Sequence, residues 1–162
     1  ARCNEALTIS REIINRNQEA IILGGLGDLY KLKGDEDLAI QHYQESLELA
    51  IEINNPSARI NALIGMAGAY LSLGKYQDAI GLYEEALTFN RALEIPEVST
   101  EVTISFNLGL VAFLRREFEK SEHFFNLFSK AFESILDRNQ SDKNQLSLID
   151  SYALILESIR DS

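Results

Sequence analysis

Two histidines, one cysteine, an acidic triplet and a glycine-rich run are the parts of this sequence best equipped for chemistry. His42 and His123 could serve as general acids, bases or metal ligands. Each stands beside an aromatic residue, with no positioned partner in the sequence around it, and reads as a solvated or partly packed side chain. Cys3 lies near the first residue without a nucleophile context and reads as a bystander thiol. Asp35-Glu36-Asp37 could gather a cation. The run is too short for a calcium loop, lacks its alternating ligands, and reads as the charged start of a helix. Gly24-Gly25-Leu26-Gly27 could cradle a phosphate, but no Lys-Ser/Thr follows it and no strand precedes it. The expectation is therefore a non-enzyme, with no catalytic residue, no metal and no cofactor.

The composition points the same way. The chain has 162 residues, 46% hydrophobic and 25% charged, the balance of a globular protein able to bury a core. Fifteen Lys and Arg against 25 Asp and Glu give a formal net charge of −10, which argues against nucleic acid as a partner. A single cysteine forbids an internal disulfide. No apolar run reaches the ~20 residues of a membrane span, so no membrane insertion is expected. The expected location is cytoplasmic.

What must position any site is a repeat. Residues 26–47, LGDLYKLKGDEDLAIQHYQESL, align without a gap to residues 66–87, MAGAYLSLGKYQDAIGLYEEAL, 40 positions later. Tyr30 matches Tyr70, Gly34 matches Gly74, Ala39 and Ile40 match Ala79 and Ile80, and Tyr43 matches Tyr83. Glu5, Ala6 and Leu7 fall one period before Glu45, Ser46 and Leu47, so the chain opens inside a repeat and reads as a piece of a longer protein. A weaker copy over 108–128 comes after a spacing two residues longer, with Phe125 where Tyr43 stands and Arg116 in place of the turn glycine. Apolar residues recur at three and four on both sides of each turn, the period of paired helices. Gly34 and Gly74 suit a left-handed helix end, and Pro56 and Pro96 fall at the joints.

The pattern Leu26, Gly27, Tyr30, Gly34, Ala39, Tyr43, Ser46, echoed by Met66, Ala67, Tyr70, Gly74, Ala79, Tyr83, Ala86, resembles the tetratricopeptide repeat. The family's usual period is 34 residues. The period of 40 resembles its longer-helix group. The resemblance implies an all-α fold: an α-solenoid of stacked antiparallel helix pairs in a right-handed superhelix, about eight helices in all. The expected division is a single array over 1–162: residues 1–17 the second helix of a truncated repeat, 18–56 and 57–96 two full repeats, 97–140 a divergent repeat, and 141–162 a closing helix. Neighbouring pairs must stack, because one pair alone cannot bury both of its apolar stripes.

The resemblance also implies an inner surface that binds extended or helical peptides. Chaperone-binding members hold acidic tails in a basic clamp. The positions matched to it here, Gly24, Asp28, Gly65, Thr103 and Asn107, include no basic residue, so the clamp is absent. The expected groove instead carries Gly25, Asp28, Lys31, Ile64, Gly65, Leu71, Phe106, Asn107, Leu110 and Phe113. Gly25 and Gly65, one period apart, are expected to keep the groove open. An apolar strip with a polar edge fits a partner protein's amphipathic or apolar segment, neutral to basic. The alternatives are burial of some of these residues against a missing repeat or the closing helix, a regulatory array attached to a catalytic domain outside this chain, and self-association through the repeat ends.

Overall fold

A computed structural model describes the backbone of residues 2–138 and the side chains of residues 15–135. Among the described residues there are six α-helices and no strand: α1 (Arg2–Lys33), α2 (Glu36–Glu52), α3 (Pro56–Ser72), α4 (Tyr76–Ala92), α5 (Val98–Leu114) and α6 (Phe118–Arg138). Consecutive helices pack against one another, and α1 also touches α3 directly. The result is a solenoid of stacked helix pairs, with the first helices α1 and α3 side by side. The closing helix expected over 141–162 lies outside the described residues, as does the side chain of Cys3.

One turn closes all three pairs. Gly34 and Gly74 take φ of 78° and 70°, and Arg116 takes φ of 61° at the same place in the third pair. In each, the N–H of the next residue reaches back to the last helical turn: Asp35 to the Tyr30 carbonyl at 3.0 Å, Lys75 to Tyr70 at 2.9 Å, Glu117 to Ala112 at 2.9 Å. This is the left-handed helix ending that glycine favours, and backbone hydrogen bonding imposes it on an arginine in the divergent repeat. The joint into α3 is set differently. Asn54 turns out of α2 with φ of 53°, Asn55 accepts the Ala58 N–H at 2.9 Å, and Pro56 opens the helix.

The break expected after residue 17 does not exist. One period before Asn54, Asn55 and Pro56 stand Ile14, Asn15 and Arg16. A β-branched residue resists the left-handed conformation, and arginine, unlike proline, keeps its N–H for the helix ladder. The helix therefore runs through. Its middle is tied down: Arg16 makes two hydrogen bonds to the Glu52 carboxylate, at 2.7 and 2.5 Å, and Asn55 Nδ2 donates to Asn17 Oδ1 at 2.8 Å. The fused helix and the undescribed C-terminal segment account for six helices where about eight were expected.

The core sits in the seams. Ala39 and Ala79 are fully buried where the helices of a pair cross. Tyr43, 2% exposed, lies against two glycines at once: a Cβ on Gly27 of its own pair would fall 2.6 Å from the ring, and one on Gly65 of the next pair 2.3 Å from it. Phe125 repeats the first contact, 2.9 Å from a Cβ on Gly109. The volume between pairs is thus filled by the second-helix aromatic. Tyr30 and Tyr70, the tyrosines of the first helices, are only partly buried against this core.

The turn analysis yields a direct expectation. Arg116→Gly relieves a left-handed non-glycine residue and should raise unfolding stability by about 1 kcal/mol, read by urea denaturation. A loss of stability would show that the Arg115–Arg116 turn is held by its side chains and not by backbone conformation.

Candidate interaction surface

The first helices of the leading pairs enclose a groove. α1 and α3 lie side by side above the middle of α2, leaving a cavity of about 410 Å³. Its apolar wall includes Ala20, Ile21 and Ile64; its polar groups are Asp28, Lys31 and Asn61; Tyr43 and Ser46 of α2 form the floor. Helical spacing creates this lining, since residues 21, 24, 28 and 31 share one face of α1. The floor is internally satisfied. Ser46 Oγ donates to the Ala20 carbonyl at 2.8 Å, and the Tyr43 hydroxyl donates to Asp28 Oδ1 at 2.6 Å.

Burial, then the hydrogen bond to Asp28 and that carboxylate's charge, hold the Tyr43 phenol well above its ordinary range. Tyr43 therefore stays a neutral donor. It fixes the Asp28 carboxylate at the groove edge. Tyr83, at the same repeat position, is pushed up to about 12 by burial. Gly68 stands where Asp28 would be in that repeat, and the Tyr83 hydroxyl lies 3.8 Å from the place of its missing Cβ.

The cavity brings together five of the ten residues expected from sequence: Gly25, Asp28, Lys31, Ile64 and Gly65. Leu71, Phe106, Asn107, Leu110 and Phe113 stand outside it, half-buried on α3 and α5 at the repeat positions of the groove-lining residues of α1. Their surroundings differ from a bare strip. Phe106 packs edge-on to Phe125 at 6.0 Å and against Phe128 at 5.6 Å, and Phe113 meets Phe118 at 6.1 Å, so α6 supports both rings. Asn107 turns its amide to the Thr103 carbonyl of its own helix at 2.8 Å. The shared role expected for the two glycines divides. Gly25 is exposed and open, with nothing within 4 Å of a would-be Cβ, whereas Gly65 is buried beneath the Tyr43 ring. Gly65 is small for close packing against Tyr43, at the edge of the same cavity.

His42 stacks on Tyr30 at 5.2 Å, with Nδ1 3.5 Å from Glu45, and His123 lies edge-on to Phe124. Among the described residues no three of His, Cys, Asp and Glu are grouped to hold a metal ion, and no helix is long and apolar enough to cross a membrane. Two features escape a reading by period alone. The Arg59 guanidinium lies 4.2 Å from the Phe89 ring, joining α3 to α4. Fully buried Asn90 clasps Glu97 twice, donating to its carbonyl and accepting from its N–H, both at 3.0 Å. The longer joint before α5, with Pro96 in it, was the available signal that something must hold it.

Comparison with known proteins agrees with this architecture. Two family models, each described as tetratricopeptide repeat, match residues 1–52 and 62–97. The crystal structure of the TPR domain of Arabidopsis FLU superposes with a TM-score of 0.65 at 19% identity, covering 74% of this chain and 98% of that one. No curated protein sequence matches.

Two outcomes follow from the tyrosine seat. Gly65→Ala should destabilise by about 1–3 kcal/mol, because backbone or ring must shift, whereas Gly25→Ala should be neutral or stabilise by up to about 1 kcal/mol. Equal effects in chemical denaturation would refute the distinction. The second concerns alkaline pH. Between about 10 and 12 an unfolded tyrosine has lost its proton while Tyr83 keeps its own, so the unfolded state binds fewer protons and stability falls as pH rises, by up to about 1.4 kcal/mol per pH unit. The fall should be shallower in Tyr83→Phe, and identical slopes in the two proteins would count against it.

Proposed function

The chain belongs to the tetratricopeptide-repeat family, and from that premise we propose that it is a protein-interaction scaffold whose inner face docks an amphipathic or apolar helical segment of a partner protein. The observation that carries this is the groove between α1 and α3. Its volume of about 410 Å³ suits an apolar anchor of a few side chains, at the small end of the range for ligand pockets. Ile21 and Ile64 supply the apolar contact, and Asp28 supplies a fixed negative charge at the edge.

The role is non-catalytic, and the partner's chemistry follows from what lines the face. Apolar contact from Ile64, extended by Leu71, Phe106, Leu110 and Phe113, would give most of the affinity, as buried anchors do at other interfaces. The net charge of −10 would speed encounter with a neutral or basic segment and fade with salt. An acidic tail has no basic clamp to meet and is opposed by Asp28.

Fluorescence anisotropy with two labelled helical peptides tests the reading, one amphipathic and basic, the other an acidic C-terminal tail. The basic peptide should bind, and Ile64→Ala should weaken it by roughly tenfold, about 1.4 kcal/mol, with the protein's melting followed as a control for folding. Raising salt should slow association and leave dissociation nearly unchanged. Tight binding of the acidic peptide, abolished by salt, would overturn the assignment of this face.

A further inference from the structure

We propose that the leading face of α1 is covered by residues 2–14 of a second copy of this chain, so that two molecules exchange the front halves of their long first helices. The face is defined by repeat position. In α3 the stripe Ala58, Ala62, Gly65, Ala69 is buried against α2: Ala58 clusters with Leu49 and Ala50, and Gly65 lies under Tyr43. In α5 the positions equivalent to Ala62 and Ala69 are Ile104 and Val111, both 0% exposed. In α1 the same positions are Ile22 and Leu29, and they are 62% and 54% exposed, with Leu32 one turn further at 83%. Gly25 between them has open space where Gly65 has a tyrosine ring. What covers this face elsewhere in the molecule is the second helix of the preceding repeat.

A copy of that covering helix's sequence stands at residues 5–15. Residues 5–15, EALTISREIIN, repeat the α2 segment 45–55, ESLELAIEINN, with Glu5, Leu7, Glu12, Ile13 and Asn15 identical to Glu45, Leu47, Glu52, Ile53 and Asn55. Within one molecule this stretch cannot reach the face, because it belongs to the same unbroken helix. Ile14 and Arg16 replace the residues that turn α2 into α3, and Arg16 and Asn17 are bonded to Glu52 and Asn55 in the helical conformation. A second copy resolves the mismatch: two straight first helices run antiparallel, each laying its front half on the other's Ile22–Leu29 face. Such an exchange is two-fold symmetric and closes on itself. Gly25 borders both this face and the groove, whereas Ile22, Leu29 and Leu32 lie outside the cavity lining.

A disulfide between copies tests it with the native thiol. Tyr43 touches Gly65, and one period earlier the corresponding pair is Cys3 and Gly25. Along one continuous helix these two are roughly 33 Å apart, far beyond the ~7 Å limit for a disulfide. The 162-residue chain carrying Gly25→Cys is oxidised, run on a non-reducing gel and mapped by mass spectrometry, while the unmodified chain is weighed by sedimentation. The expected results are a bridge from Cys3 of one copy to position 25 of the other, and a mass twice the 18.2 kDa of one chain. Ile22→Asp with Leu29→Asp, both on exposed positions, should return the mass to one chain with the helical circular dichroism kept. A bridge from 3 to 25 inside one chain, bridges only between like positions, a monomer at high micromolar concentration, or a dimer that survives the double aspartate variant would each overturn the proposal.

Discussion

The Tyr43 ring lies against Gly27 in its own helix pair and Gly65 in the next, and most of the molecule's order can be traced to that seat. A helix pair is held by one contact and the stacking of pairs by the other, through a single side chain that is almost fully buried. Two of the glycines that carry helical propensity costs of about 1 kcal/mol each are the ones that let the ring in. Because the ring is anchored from both sides, its hydroxyl has one direction left, outward to Asp28 in the groove. The group that locks the repeats thereby also fixes the charge at the candidate docking surface.

The joints between pairs show how a solenoid tolerates divergence. The α2–α3 joint is short and fully specified by Asn54, Asn55 and Pro56. The α4–α5 joint is longer, and buried Asn90 holds it by returning both hydrogen bonds of Glu97's backbone. In the third pair Ser121 stands where the alanines of the first two do, and donates to the Gly109 carbonyl at 3.0 Å. Burying a polar residue at a crossing is tolerable there because its hydroxyl finds a partner at once.

Much of this was legible in the sequence. The 40-residue period placed the second-helix aromatics, the crossing alanines and the turn glycines. The two-residue insertion predicted Arg116 at a glycine position, where the structure finds a positive φ. The candidate groove was legible in part. Period alone could not say whether a small residue faces open space or a neighbour: Gly25 and Gly65, identical in register, differ in that Gly25 has nothing near it and Gly65 has the Tyr43 ring. The continuity of α1 is written in the breaker positions 14–16 and not in the likeness of residues 5–7 to 45–47. Ile14 and Arg16 carry the signal, and it is a matter of backbone conformation and hydrogen bonding, not of hydrophobic pattern.

The positions that build the scaffold keep their character from pair to pair, while those on the inner face change steadily along it. Residues 27, 67 and 109 are Gly, Ala and Gly, and residues 43, 83 and 125 are Tyr, Tyr and Phe. At the inner positions the series runs Gly24, Ile64, Phe106, then Asp28, Gly68, Leu110, then Lys31, Leu71, Phe113. Each series passes from small or charged on α1 to large and apolar on α5. Packing accounts for part of this, since Phe106 lies against Phe128, which stands where the first two pairs carry Ser46 and Ala86. The gradient gives the face a direction: a segment docked along it meets charge beside α1 and aromatic surface beside α5. For the docked segment proposed above, an amphipathic helix with its basic residues at one end and its apolar residues at the other would match that order, and reversing it would set a basic end against Phe106 and Phe113, where its desolvation would have no compensating charge among the inner-face positions of α5.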